Sequence, residues 1–107
     1  MNRNRVQKKY AGIHNDRNGG MTDTGKTIRD AWVFGLIPET ETCEGWLSDG
    51  IQDLWRKTSE EWEKYGFMVS NLPEEMRKKF DRIQAEAIKR AKDSEWDPQR
   101  ELDEDNT

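Results

Sequence analysis

The sequence predicts an all-α fold: a short N-terminal helix, then a two-helix antiparallel hairpin, with a flexible basic N-terminal arm and an acidic C-terminal tail. Apolar residues recur at helical steps within residues 28–36, 47–65 and 76–91. Gly66 and Pro73 punctuate the last two stretches, and the short connector between them implies antiparallel neighbours. Hydrophobic residues make up 32% and charged residues 37%, so burial barely offsets chain entropy unless a compact aromatic-rich centre carries polar ends. The expected organisation is an arm over residues 1–22, one small helical domain over 23–94, and a disordered tail over 95–107.

Residues 1–20 hold five basic side chains against one acidic, and no sustained period of 2 or 3.6. They read as a flexible arm, so that a start at Met21 would lose little structure. Thr24 is the expected N-cap of a helix from about Lys26 to Leu36, its hydroxyl accepting an orphan N–H. Ile28, Ala31, Trp32, Gly35 and Leu36 share one face, and Pro38 stops the helix. The run from Trp32 to Ile37 also fits a short strand, though helix is preferred.

An acidic loop over residues 39–45 holds Cys43. The next helix starts at Trp46 or Ile51, with Leu47, Ile51, Leu54, Trp55, Trp62 and Tyr65 along its apolar face. Asp53–Lys57 and Glu60–Lys64 are spaced as i,i+4 ion pairs. Gly66 suits a left-handed C-terminal cap. In the last helix Pro73 occupies the first position, with Glu74 and Glu75 beside the positive end of the dipole. Met76, Phe80, Ile83, Ala87 and Ala91 form its seam, and Glu74–Lys78, Glu75–Lys79 and Glu86–Arg90 its outer pairs. Trp96-Asp97-Pro98 reads as a terminating turn before the acidic tail.

Gly20-Met21-Thr22-Asp23-Thr24-Gly25-Lys26-Thr27 satisfies the pattern G-x-x-x-x-G-K-[ST]. Over these eight residues the chain resembles the Walker A element of P-loop nucleotide hydrolases. The resemblance implies nucleotide binding by Gly20, Gly25, Lys26 and Thr27. The surroundings speak against it: no buried strand precedes the motif, and no separate acidic strand end follows to hold Mg²⁺. The plainer reading makes Thr24 a cap and Gly19-Gly20 a hinge.

No catalytic residue, metal site or cofactor is expected. His14, the one histidine, falls in the arm, where nothing holds it rigidly. Cys43 lies among Glu39, Glu41 and Glu44, which suppress a thiolate. One cysteine excludes an internal disulfide, and no apolar stretch is long enough for a membrane span. A cytoplasmic location is the default, with no membrane partner.

The aromatic residues point elsewhere. Helical spacing makes most of them core, yet a chain this short cannot bury all of them. The expected function is therefore non-enzymatic: a small helical interaction module that self-associates or serves as an accessory or regulatory subunit. Trp46, Trp55, Trp62, Tyr65, Phe80 and Ile83 would meet another protein chain. The alternative is a nucleic-acid-associated accessory protein. There Arg3, Arg5, Lys8 and Lys9 would neutralise phosphates and Tyr10 would stack on a base.

Overall fold

A computed structural model describes residues 8–93. Among them are three α-helices, α1 (Asp23–Val33), α2 (Ser48–Glu63) and α3 (Glu74–Asp93), and no strand. Short 3₁₀ turns lie at Ile13–Asn15 and Val69–Asn71. The chain is mostly helical, as its periodicity implies. The run Trp32–Ile37 finishes α1 and turns away at Gly35, whose φ is +71°.

Local chemistry sets the helix ends. The α1 cap is Thr22, two residues earlier than the expected Thr24; its hydroxyl accepts from the Gly25 amide at 3.1 Å. Asp23 then stands in the first turn, where the dipole favours a negative charge. Gly50 lies in the first turn of α2. A Cβ there would approach the Trp46 ring to 3.3 Å, so the glycine makes room for the indole. At the far end the Phe67 amide reaches back to the Trp62 carbonyl at 3.0 Å, and Gly66 adopts φ +64°. Pro73 sits just outside α3 and its carbonyl accepts from the Arg77 amide at 2.8 Å.

The packing centres on α1, not on the 46–93 pair as the sequence implied. Both other helices pack chiefly on α1, whose residues from Thr27 to Val33 are all buried. The Trp62 indole donates to Asp30 at 3.0 Å, and Phe34 meets both Trp62 and Tyr65, so the C-terminal ends of α1 and α2 lie together. α3 runs opposite to α1. Arg29 bonds Gln84 at 2.9 Å, and further along α3 Ala91 lies against Gly19, just before α1. α2 and α3 meet where the Trp62 and Phe80 rings cross edge to face at 6.1 Å.

Residues 10–20, read from sequence as part of the flexible arm, are built into the fold. The Tyr10 amide donates to the Trp46 carbonyl and the Gly45 amide to the Tyr10 carbonyl, both at 2.8 Å. The Ile13 amide adds a bond to Thr42 at 3.1 Å, and the Ile13 side chain joins the core of Ile28, Ala31, Val33, Leu54 and Ile83. Asp16 ties the following turn together. One of its carboxylate oxygens accepts from the Asn18 and Gly20 amides, the other from the Tyr10 and Thr22 hydroxyls at 2.6 and 2.5 Å. Arg3, Arg5 and the expected terminal turn and tail over 95–107 lie outside the described residues.

Candidate functional site

The six side chains expected to meet a partner separate into two groups. Ile83 is buried in the core cluster, and Phe80 and Trp46 pack against it. Trp62 is held on three sides, by the Asp30 carboxylate, the edge of Phe34 and the ring of Phe80. Tyr65 stacks on Phe34 with parallel rings 6.3 Å apart. Trp55 differs, at 59% exposed. It shares the helical edge of Trp62, seven residues away, but no ring from α1 or α3 covers it. Leu47 is also exposed at the start of α2, and Asp49, Gln52, Asp53 and Arg56 line an open depression with Trp55.

Phe67 and Met68, which the sequence reading passed over as connector, are exposed as well. Phe67 is 64% exposed and holds φ at +60°, a left-handed conformation costly for an aromatic residue. A signal was present in the sequence: the residue after a helix-ending glycine is usually drawn back onto the helix by its apolar side chain. Here it is not.

The basic residues form a second locus. Lys8, Lys9, Tyr10, Arg17 and Trp46 line one open groove of about 580 Å³ beside Thr22 at the start of α1 and Ser48 at the start of α2. Of the expected arm residues Arg3, Arg5, Lys8, Lys9 and Tyr10, the last three line this groove; Arg17 and Trp46, the latter expected at a protein interface, are brought there by the chain fold. The Tyr10 hydroxyl is not free to engage a ligand. Burial and its bond to Asp16 push its pKa well above the ordinary phenol value.

The phosphate-loop match has different geometry from the element it resembles. Gly25 lies inside α1, and its amide is given to Thr22. The Gly20 amide is given to Asp16, the Lys26 ammonium to Asp30 at 3.2 Å, and Thr27 is buried. The Gly20, Gly25 and Lys26 donors that the resemblance assigns to a phosphate are therefore each engaged within the chain. Gly19 and Gly20 hold φ of +65° and +88° in a turn packed against Ala91 of α3 and against Ile13.

Cys43 is fully buried, and burial followed by the Glu41 charge pushes its thiol up to about 11. At neutral pH it carries almost no thiolate. His14 is exposed, with both ring nitrogens beside the Arg90 guanidinium. Three carboxylates of α2 are engaged locally: Asp53 and Glu60 with Arg56, and Glu61 with Lys64 at 2.9 Å. Among the described residues no group of three or more His, Cys, Asp or Glu converges as a metal site would require, and no helix is long and apolar enough to cross a membrane. Compared with protein-family models, curated proteins and solved structures, the chain matches none.

Proposed function

We propose that this chain is a non-enzymatic helical interaction module that engages another protein chain, a second copy or a different subunit, through the outer face of α2. The exposure of Trp55 carries the reading. The other tryptophans of the described residues are packed into the fold, whereas this indole lies in the open among Asp49, Gln52, Asp53 and Arg56. An aromatic anchor with a polar surround is how interface energy is commonly concentrated. A cytoplasmic setting suits the single buried thiol.

Light scattering after size exclusion tests self-association directly. A mass above the monomer that falls to the monomer in Trp55→Ala, with unchanged helicity, supports a homo-oligomer. If wild type is monomeric, affinity capture should recover a specific partner that Trp55→Ala loses. Recovery of the same proteins by both forms overturns the reading.

The basic groove favours a second reading, a nucleic-acid-associated accessory protein. Three cations and two aromatic rings along one concavity suit a single strand, with phosphates on Lys8, Lys9 and Arg17 and a base on Trp46. Deleting residues 1–20 is a poor test, because it also removes Ile13 and Asp16 from the fold. The combined Lys8→Gln, Lys9→Gln and Arg17→Gln variant should abolish salt-sensitive binding to mixed single strands. Absence of any such binding by wild type at low salt overturns this reading.

A further inference from the structure

A cavity of about 130 Å³ lies where α1 and α3 meet the turn over residues 13–20. Ile13, Trp32, Ile83 and Ala87 give it apolar walls, and charged groups of both signs reach it. The acids there are already committed. Both carboxylate oxygens of Glu39 are held by Arg82, at 3.1 and 2.9 Å, and Glu86 lies 3.5 Å from the same guanidinium.

The cations are not. Arg29 is only 5% exposed, and its bonds run to two neutral acceptors, the Gln84 amide oxygen at 2.9 Å and the Gly20 carbonyl. No carboxylate among the described residues lies within ion-pair distance of it. Asp30 and Asp16 act on it only across space, because Asp30 is bonded to Lys26 and Trp62, and Asp16 to four donors. Arg90 makes no ion pair among the described residues either, since its expected partner Glu86 turns to Arg82. Its guanidinium instead faces His14, at 2.5 and 3.1 Å from the two ring nitrogens.

A guanidinium removed from water without a carboxylate in direct contact is costly, and a planar carboxylate matches its fork of donors. We propose that this cavity binds one small organic carboxylate, its anionic head between Arg29 and Arg90 and its apolar body against Trp32 and Ile83. The site is independent of the face of α2 and of the basic groove.

The test is a heteronuclear NMR titration of the full chain at low ionic strength with benzoate, benzyl alcohol and inorganic phosphate as separate probes. Saturable shifts with benzoate at Gly19, Gly20 and the Trp32 indole are expected, with none from benzyl alcohol. Arg90→Gln should weaken benzoate about tenfold, the order expected when a charge-assisted hydrogen bond is lost. Lys89→Gln, one residue away on the same helix, should leave it unchanged. The proposal is overturned if benzoate gives no saturable shift or if benzyl alcohol binds equally well. It is also overturned if phosphate binds more tightly than benzoate, or if both variants weaken binding alike.

Discussion

Two single residues carry more of the structure than their chemistry advertises. Asp16 is buried in a carboxylate-centred turn. Burial alone would raise its pKa, but the donors from Thr22, Tyr10, Asn18 and Gly20 together hold it below the ordinary carboxylate value. A depressed pKa stabilises the fold above the unfolded value of about 4, and this contribution is lost as pH falls through the folded one. Stability from urea melts should therefore drop progressively below about pH 4, and Asp16→Asn should flatten that dependence while costing about 1–3 kcal/mol at pH 7. Gly25 gives a second expectation, opposite in sign to helix propensity. Alanine is normally better than glycine in a helix by about 1 kcal/mol. A Cβ at position 25, however, would collide with the Gly20 carbonyl oxygen, a backbone atom that cannot swing away. Gly25→Ala should lower stability by about 1–3 kcal/mol, as overpacked sites do; a gain would show that the turn relaxes freely.

At the level of elements, periodicity revealed the helices but not which one lies at the centre. α2 and α3 advertise themselves with long apolar seams and regular ion pairs. α1 is short, and Arg29 and Asp30 fall off its apolar face of Ile28, Ala31, Trp32, Gly35 and Leu36. Their burial is accommodated because Gln84 and Gly20 accept from Arg29 and Trp62 donates to Asp30, and the Trp62 and Gln84 partners lie 32 and 55 positions away, outside any local pattern. The same limit applies to the candidate face. Trp55 and Trp62 are indistinguishable by spacing, and only the neighbouring helices separate them. Trp62→Ala should cost about 3 kcal/mol, the low end for a large aromatic, because its ring is half buried. Trp55→Ala should stay within about 0.5 kcal/mol. Comparable losses would mean that Trp55 is covered within the monomer. Phe67 offers the complementary test. Asparagine tolerates its left-handed backbone, so Phe67→Asn should raise stability by about 1 kcal/mol. If Phe67 also serves the interaction face, the same substitution weakens association while the monomer gains stability, a pairing that simple damage to the fold cannot produce.

For the whole molecule, the segment before α1 decides where the domain begins. Composition made residues 1–22 look expendable, since charge and glycine dominate and one isoleucine hardly registers as a core position. Yet Ile13 packs beside Ile28, Tyr10 exchanges backbone bonds with residues 45 and 46, and Asp16 organises the turn leading into Thr22. A chain beginning at Met21 would lose the Ile13 contacts, the partner of the Thr22 cap and the residue against which Ala91 closes. Burial of one isoleucine is worth about 1.5–3 kcal/mol, and the buried hydrogen bonds add to it. The expected loss of at least about 3 kcal/mol is a large share of the 5–15 kcal/mol that holds a typical domain folded. Removing residues 1–7 leaves every contact described here in place and should shift the urea midpoint little, whereas removing residues 1–20 should lower it sharply and broaden or abolish the cooperative transition. If the shorter chain melts as wild type does, the fold starts at α1 and the groove and cavity walls formed by residues 8–20 are not part of a stable domain. If it fails to fold while the 1–7 deletion stands, both concavities belong to the same cooperative unit as the helices.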